Sequence, residues 1–123
     1  MKKRIFALLL ALAFILMTAS VGLAAQPRIA TGTCTLSASG SYSGYTRSDK
    51  NESSISVSIT VKRLVGDQWQ YVDSVSASKQ SSNYVFASDS CTLTGGYYYK
   101  AFATHYTSSR GSWSSESSKV WVG

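Results

Sequence analysis

The sequence predicts an all-β protein, an antiparallel β-sandwich of about seven short strands, and three observations carry that expectation. The first is Ser53 to Leu64, where Ile55, Val57, Ile59 and Val61 alternate with Ser54, Ser56, Ser58, Thr60 and Lys62. Period-two alternation over that length buries one face and wets the other, as antiparallel sheets do. The second is Leu93 to Tyr106, where Gly95-Gly96 makes a turn and the ten residues that follow are rich in aromatics and free of glycine and proline. Burying Tyr98, Lys100, Phe102, Thr104 and Tyr106 would drive a lysine inward. Tyr99, Ala101 and Ala103 are therefore the expected inner set, and their small size implies a close neighbour. The third is that no window has helical periodicity with plausible caps, while short strands recur at regular spacing.

Taken in order, the chain opens with Lys2-Lys3-Arg4, an apolar run from Ile5 to Met17 and the small-residue end Gly22-Leu23-Ala24. That three-part pattern predicts a signal peptide over 1–24, cleaved after Ala24 or Ala25, and hence a secreted protein. The run is too short to span a bilayer, for which roughly 20 residues are needed. Residues 25–32, holding the single proline Pro27, are expected to form an N-terminal arm, and 33–123 the sandwich domain. Strands are expected over Thr33 to Ser39 and Gly40 to Arg47, then a polar loop over Ser48 to Glu52. The alternating strand to Leu64 follows, then a glycine hairpin at Val65 to Gln68 and a strand from Trp69 to Ser78. A polar turn at Lys79 to Ser82 leads into Asn83 to Thr92, where either parity buries Asp89 or exposes Val85 and Ala87. A bulge near Ser88 would resolve that conflict. Thr107 to Ser118 is serine-rich, and Lys119 to Val122 closes the chain as a last short strand.

Without the leader the chain holds nine Lys and Arg against six Asp and Glu, a net charge of +3. The nine are scattered, so no basic stripe exists to neutralise a phosphate backbone and no nucleic-acid partner is expected. Cys34 and Cys91 in an exported chain predict one disulfide, worth roughly 4 kcal/mol for a loop of that length. A lipid-modified Cys34 is the competing reading, but Thr31-Gly32-Thr33 before it is not a lipobox.

From Ile55 onward the landmarks resemble a fibronectin type III or immunoglobulin-like sandwich, with Leu93 six residues before Tyr99 in the manner of that fold's tyrosine corner. The resemblance implies that Tyr99 is buried with its phenol bonded back to the backbone. The whole chain is also similar to a family of short secreted proteins of Gram-positive bacteria of unknown function. The residues that carry this are Val61-Lys62-Arg63-Leu64, Gly66-Asp67-Gln68-Trp69, Gly95-Gly96-Tyr97-Tyr98-Tyr99-Lys100, His105 and Val120-Trp121-Val122. That likeness implies export and adds no mechanism.

A catalytic role is not expected. His105 is the single histidine with no acid or nucleophile paired to it by sequence, and Gly40-Ser41-Tyr42-Ser43-Gly44 has tyrosine where a nucleophile elbow needs serine. The acids are dispersed, so neither a calcium loop nor a metal centre is expected, nor any cofactor. What remains is an aromatic row: Tyr98, Phe102 and Tyr106 on the outer face of one strand, widened by Trp113 and Trp121. The expected function is therefore a non-catalytic surface-contact module that binds a cell-surface glycan or protein and does not insert into a membrane after leader cleavage. A small antibacterial effector and a hydrolase are the alternatives.

Overall fold

The computed structural model describes residues 29–123. The expected leader and the first half of the expected arm, residues 25–28, lie outside the described residues. Six strands run in order: β1 (Ala30–Leu36), β2 (Ser41–Val65), β3 (Gln68–Ser90), β4 (Tyr97–Thr107), β5 (Gly111–Glu116) and β6 (Val120–Val122). All pairings are antiparallel and belong to one sheet, curled into a half-barrel. The described residues contain no helix.

The strand count is six and not the expected seven because two expected breaks are not breaks, which removes two strands, while the serine-rich segment adds one, β5. Ser48 to Glu52, expected as a loop, is part of the 25-residue β2, and Lys79 to Ser82, expected as a turn, is part of the 23-residue β3. Both sites are irregular all the same. The β2–β3 register shifts between Arg47 and Glu52, and Ser81 takes a left-handed φ of 51°. The polar residues thus mark a place where the ribbon bends without ending, as a bulge does. The β1 strand also begins at Ala30, within the segment expected as an arm.

Each half of β2 has its own neighbours. Its first half pairs with β1 (Leu36 opposite Tyr42) and with the end of β3 (Ala87 opposite Gly44). Its second half pairs with the start of β3 and, on the other edge, with β4 (Ala103 opposite Ile59). β5 and β6 then add to the far edge of β4 one after the other. The bend folds the first half back over the second. A Cβ on Gly44 would stand 2.9 Å from Ile59 Cδ1, and one on Gly32 would stand 2.3 Å from His105 Nδ1. Only glycine fits at these two approaches.

The core lies in this fold. Ile55, Val57, Ile59 and Val61 are fully buried, as their alternation predicts, and each contributes about 1.5–3 kcal/mol by leaving water. Tyr99, Ala101 and Ala103 of β4 lie beside them on the same inner face, confirming the parity that keeps Lys100 out. In β3, Val85 and Ala87 are buried and Phe86 is half exposed, with unbroken register past Ser88. No bulge is needed there. Asp89 shares the inner parity but sits at the end of the strand, where it is exposed. The Tyr99 hydroxyl donates to Thr94 O and accepts from Thr94 N–H, each at 2.9 Å, so the corner bond is present.

The expected disulfide is absent: Cys34 and Cys91 are both free thiols. Register explains why. Cys34 pairs with Gly44, which pairs with Ala87, so Cys91 lies two strands across and four residues further along. At ~4.8 Å per strand and ~3.4 Å per residue the two Cα atoms are roughly 16 Å apart, beyond the ~7 Å that a bridge tolerates. Each thiol has a local partner instead, Cys34 on Ala101 O and Cys91 on Gly40 O.

Candidate functional site

The even-numbered residues of β4 face away from the core, and their register partners share that face. Tyr98 lies opposite Trp121, Phe102 opposite Thr60 and Glu116, and Tyr106 opposite Ser56 and Ser112. No other element covers it among the described residues. At one end, Tyr98 and Trp121 contact at 4.9 Å between ring centroids, and Trp121 is 53 % exposed. Trp69, from the start of β3, sets its edge against Phe102 at 5.4 Å and leaves that ring half-buried. The structure thus sets Tyr98, Phe102 and Trp121 on one face and adds Trp69, which the sequence marks only as the first residue of the strand after the glycine hairpin. Tyr106 shares the face two turns of the pleat beyond Phe102.

Trp113 does not belong to this row. It pairs with His105 in register and stacks on its imidazole at 5.4 Å, on the opposite side of the sheet, with the Arg110 guanidinium 4.1 Å from its ring centre. The serine-rich segment 107–118 carries no alternation that fixes the side of Trp113, whereas β5 gives it the parity of His105.

Three ammonium groups cap the rings of the outer face. Lys62 and Lys100 lie 5.2 and 5.6 Å from the Phe102 centroid, and Lys119 lies 4.5 Å from that of Tyr98. Each stem packs along an aromatic body while its head stays near water. Lys100 is tied to Glu116 at 2.6 Å, and among the described residues no salt bridge holds Lys62 or Lys119. Beyond the rings the same face becomes a field of hydroxyls, since Ser76, Ser58, Thr104 and Ser114 lie side by side across four strands, all exposed.

Two polar clusters lie on the inner side. His105 is fully buried, with Nδ1 2.8 Å from Thr46 Oγ1 and Nε2 2.6 Å from Ser115 Oγ. The Thr46 hydroxyl donates to Ser56 O, so its oxygen accepts from Nδ1–H and Nε2 accepts from Ser115. Burial, and then the charge of Arg110, hold the imidazole below its usual pKa, so it is neutral at pH 7. Cys34 Sγ lies 3.8 Å from Ser115 Oγ, and burial pushes its thiol pKa up. Both residues line a cleft of about 390 Å³ between β1 and β5.

The second cluster is centred on Glu52, fully buried at the bend of β2. Its carboxylate accepts from Ser48, Ser108 and Ser109, and Lys50 stands 3.9 Å away. Burial pushes the carboxyl up, but the surrounding hydroxyls outweigh it and hold Glu52 below the usual carboxylate range. Among the described residues, no three His, Cys, Asp or Glu side chains gather to hold a metal ion. No protein-family model and no curated protein matches this sequence.

Proposed function

We propose that the chain is an exported, non-catalytic binding module that works by surface contact through the outer face of β2, β4 and β6. The observation that carries this reading is the exposed Tyr98–Trp121 pair, with Phe102 and Trp69 further along the same sheet face, which no other element covers among the described residues. Large rings held outward in register form a preorganised contact, because little side-chain entropy is lost when a partner docks. The likeness to an immunoglobulin-like sandwich of the fibronectin type III kind belongs to this proposal. It is supported by the Tyr99 corner and by the bend that lays β1 against β4, each long strand then serving as two strands of that fold.

Adhesion of the full-length secreted protein to bacterial cells tests the reading. Trp121→Ala should abolish adhesion while the melting temperature holds, since half of that side chain is already in water. Phe102→Ser should also weaken adhesion, at a stability cost of about 1–2 kcal/mol set by its half-buried ring and the lost edge contact with Trp69. Unchanged adhesion in both variants would end the proposal.

One observation favours a hydrolase as the second reading, the 2.6 Å bond between Ser115 and His105 at the wall of a cleft. It is the weaker reading because the third member is the Thr46 hydroxyl, which carries no charge to stabilise an imidazolium. Turnover of ester substrates that disappears in both Ser115→Ala and His105→Ala would promote it.

A further inference from the structure

We propose that the occupant of the outer face is an acidic polysaccharide, a chain of sugar rings bearing carboxylates; this rests on the contact reading above and names its ligand. Charge is the first argument. Of the described strand positions on that face only Glu116 is acidic, and it pairs with Lys100, so Lys62 and Lys119 have no ion-pair partner among the described residues and can meet an anion. Lys119 is two residues from the exposed ring of Trp121 and lies over Tyr98, the ring that Trp121 touches. A sugar stacked on Trp121 therefore brings a ring carboxylate within reach of that ammonium.

The rings and hydroxyls exclude the simpler polyanions. A poly(glycerol phosphate) would satisfy the lysines but has no flat C–H face to lay on Trp121. A nucleic acid carries a phosphate at every unit, and two free lysines are far fewer than such a backbone recruits. A protein partner is disfavoured by the other end of the face, where Ser58, Ser76, Thr104 and Ser114 form an exposed hydroxyl row, because serine is depleted at protein interfaces. Each hydroxyl both donates and accepts, as the hydroxyls of a sugar do. From Tyr98 to Tyr106 the strand is ~27 Å long, room for several consecutive sugar units rather than one.

The test uses the full chain expressed with its own leader and measures binding to polygalacturonate, to its neutral methyl ester, to poly(glycerol phosphate) and to oligothymidylate. Polygalacturonate should bind about tenfold more tightly than the ester, and the difference should shrink as salt rises from about 50 to about 500 mM. The double variant Lys62→Gln/Lys119→Gln should bind acid and ester alike, whereas Trp121→Ala should lose both. Equal binding of acid and ester by the unaltered protein, or a preference that survives the double variant, overturns the acidic-polysaccharide inference. So does tighter binding of either phosphate polymer, or no binding to any of the four. In each of those cases the cell-adhesion result for Trp121→Ala still decides the contact reading by itself.

Discussion

Replacing Tyr99 by phenylalanine removes one oxygen and tests the most constrained turn in the molecule. That oxygen makes two hydrogen bonds to Thr94, donating to its carbonyl and accepting from its N–H, both at 2.9 Å, from a ring that is 1 % exposed. Each bond is worth about 0.5–1.5 kcal/mol net. Thr94 lies in an exposed turn, where water can replace the lost partner, so the full penalty for orphaned buried groups does not apply. The expected loss is therefore about 1.5 kcal/mol, a fall in melting temperature of about 6–12 °C for a domain near 100 residues. Thermal denaturation followed by near-ultraviolet circular dichroism reads it directly. Tyr98→Phe is the control: its ring is 40 % exposed, and the change should move the midpoint by no more than a degree or two. Equal losses at the two positions would refute the assignment of the corner bond.

The Glu52 cluster predicts acid sensitivity. A carboxyl whose folded pKa lies below its unfolded value of about 4.3 contributes stability that is present above that value and lost as pH falls through the lowered one. Urea midpoints measured downward from pH 5 should fall more steeply for the native protein than for Glu52→Gln, and parallel curves would sink the idea. For the cysteines, thiol titration of denatured, unreduced protein should find two thiols, and Cys91→Ser should cost well under the roughly 4 kcal/mol of a broken bridge. A reductant-sensitive shift in electrophoretic mobility would contradict the geometry.

How much of this was legible in the sequence follows from the range of the interactions. The buried faces of β2 and β4 were legible because strict alternation and one unburiable lysine decide parity locally. The Tyr99 bond came through the resemblance to a tyrosine corner, a local motif whose partners here are five residues apart. The continuity of β2 was not, since Ser48 to Glu52 looks like any polar loop. What lets Glu52 be buried within a continuous strand is the set of Ser108 and Ser109 hydroxyls, more than fifty residues away, that satisfies its carboxylate. One partner of His105 is equally remote, Thr46 at 59 residues and on the far side of the bend, whereas Ser115 is ten residues away on the neighbouring strand. The disulfide failed for the same reason: two cysteines in a chain expected to be exported say nothing of the register that separates them.

The candidate site and the core rest on a single choice of parity in β4. Ala101 and Ala103 face inward because β1 and the first half of β2 come in close above them, with Gly32 and Gly44 at the tightest approaches. A bulky inner set would hold that layer off and leave His105 wet. Small residues inside therefore send the large even-numbered ones, Tyr98, Phe102 and Tyr106, to the outside together with Lys100. Strand period makes the two faces inseparable, because a one-residue slip of β4 against β2 would exchange them, burying Lys100 beneath β1 and exposing Tyr99 and both alanines. The cost of that buried ammonium locks the register. A contact surface of rings and lysines is thus held in place by the same packing that closes the core, with no separate scaffold to support it.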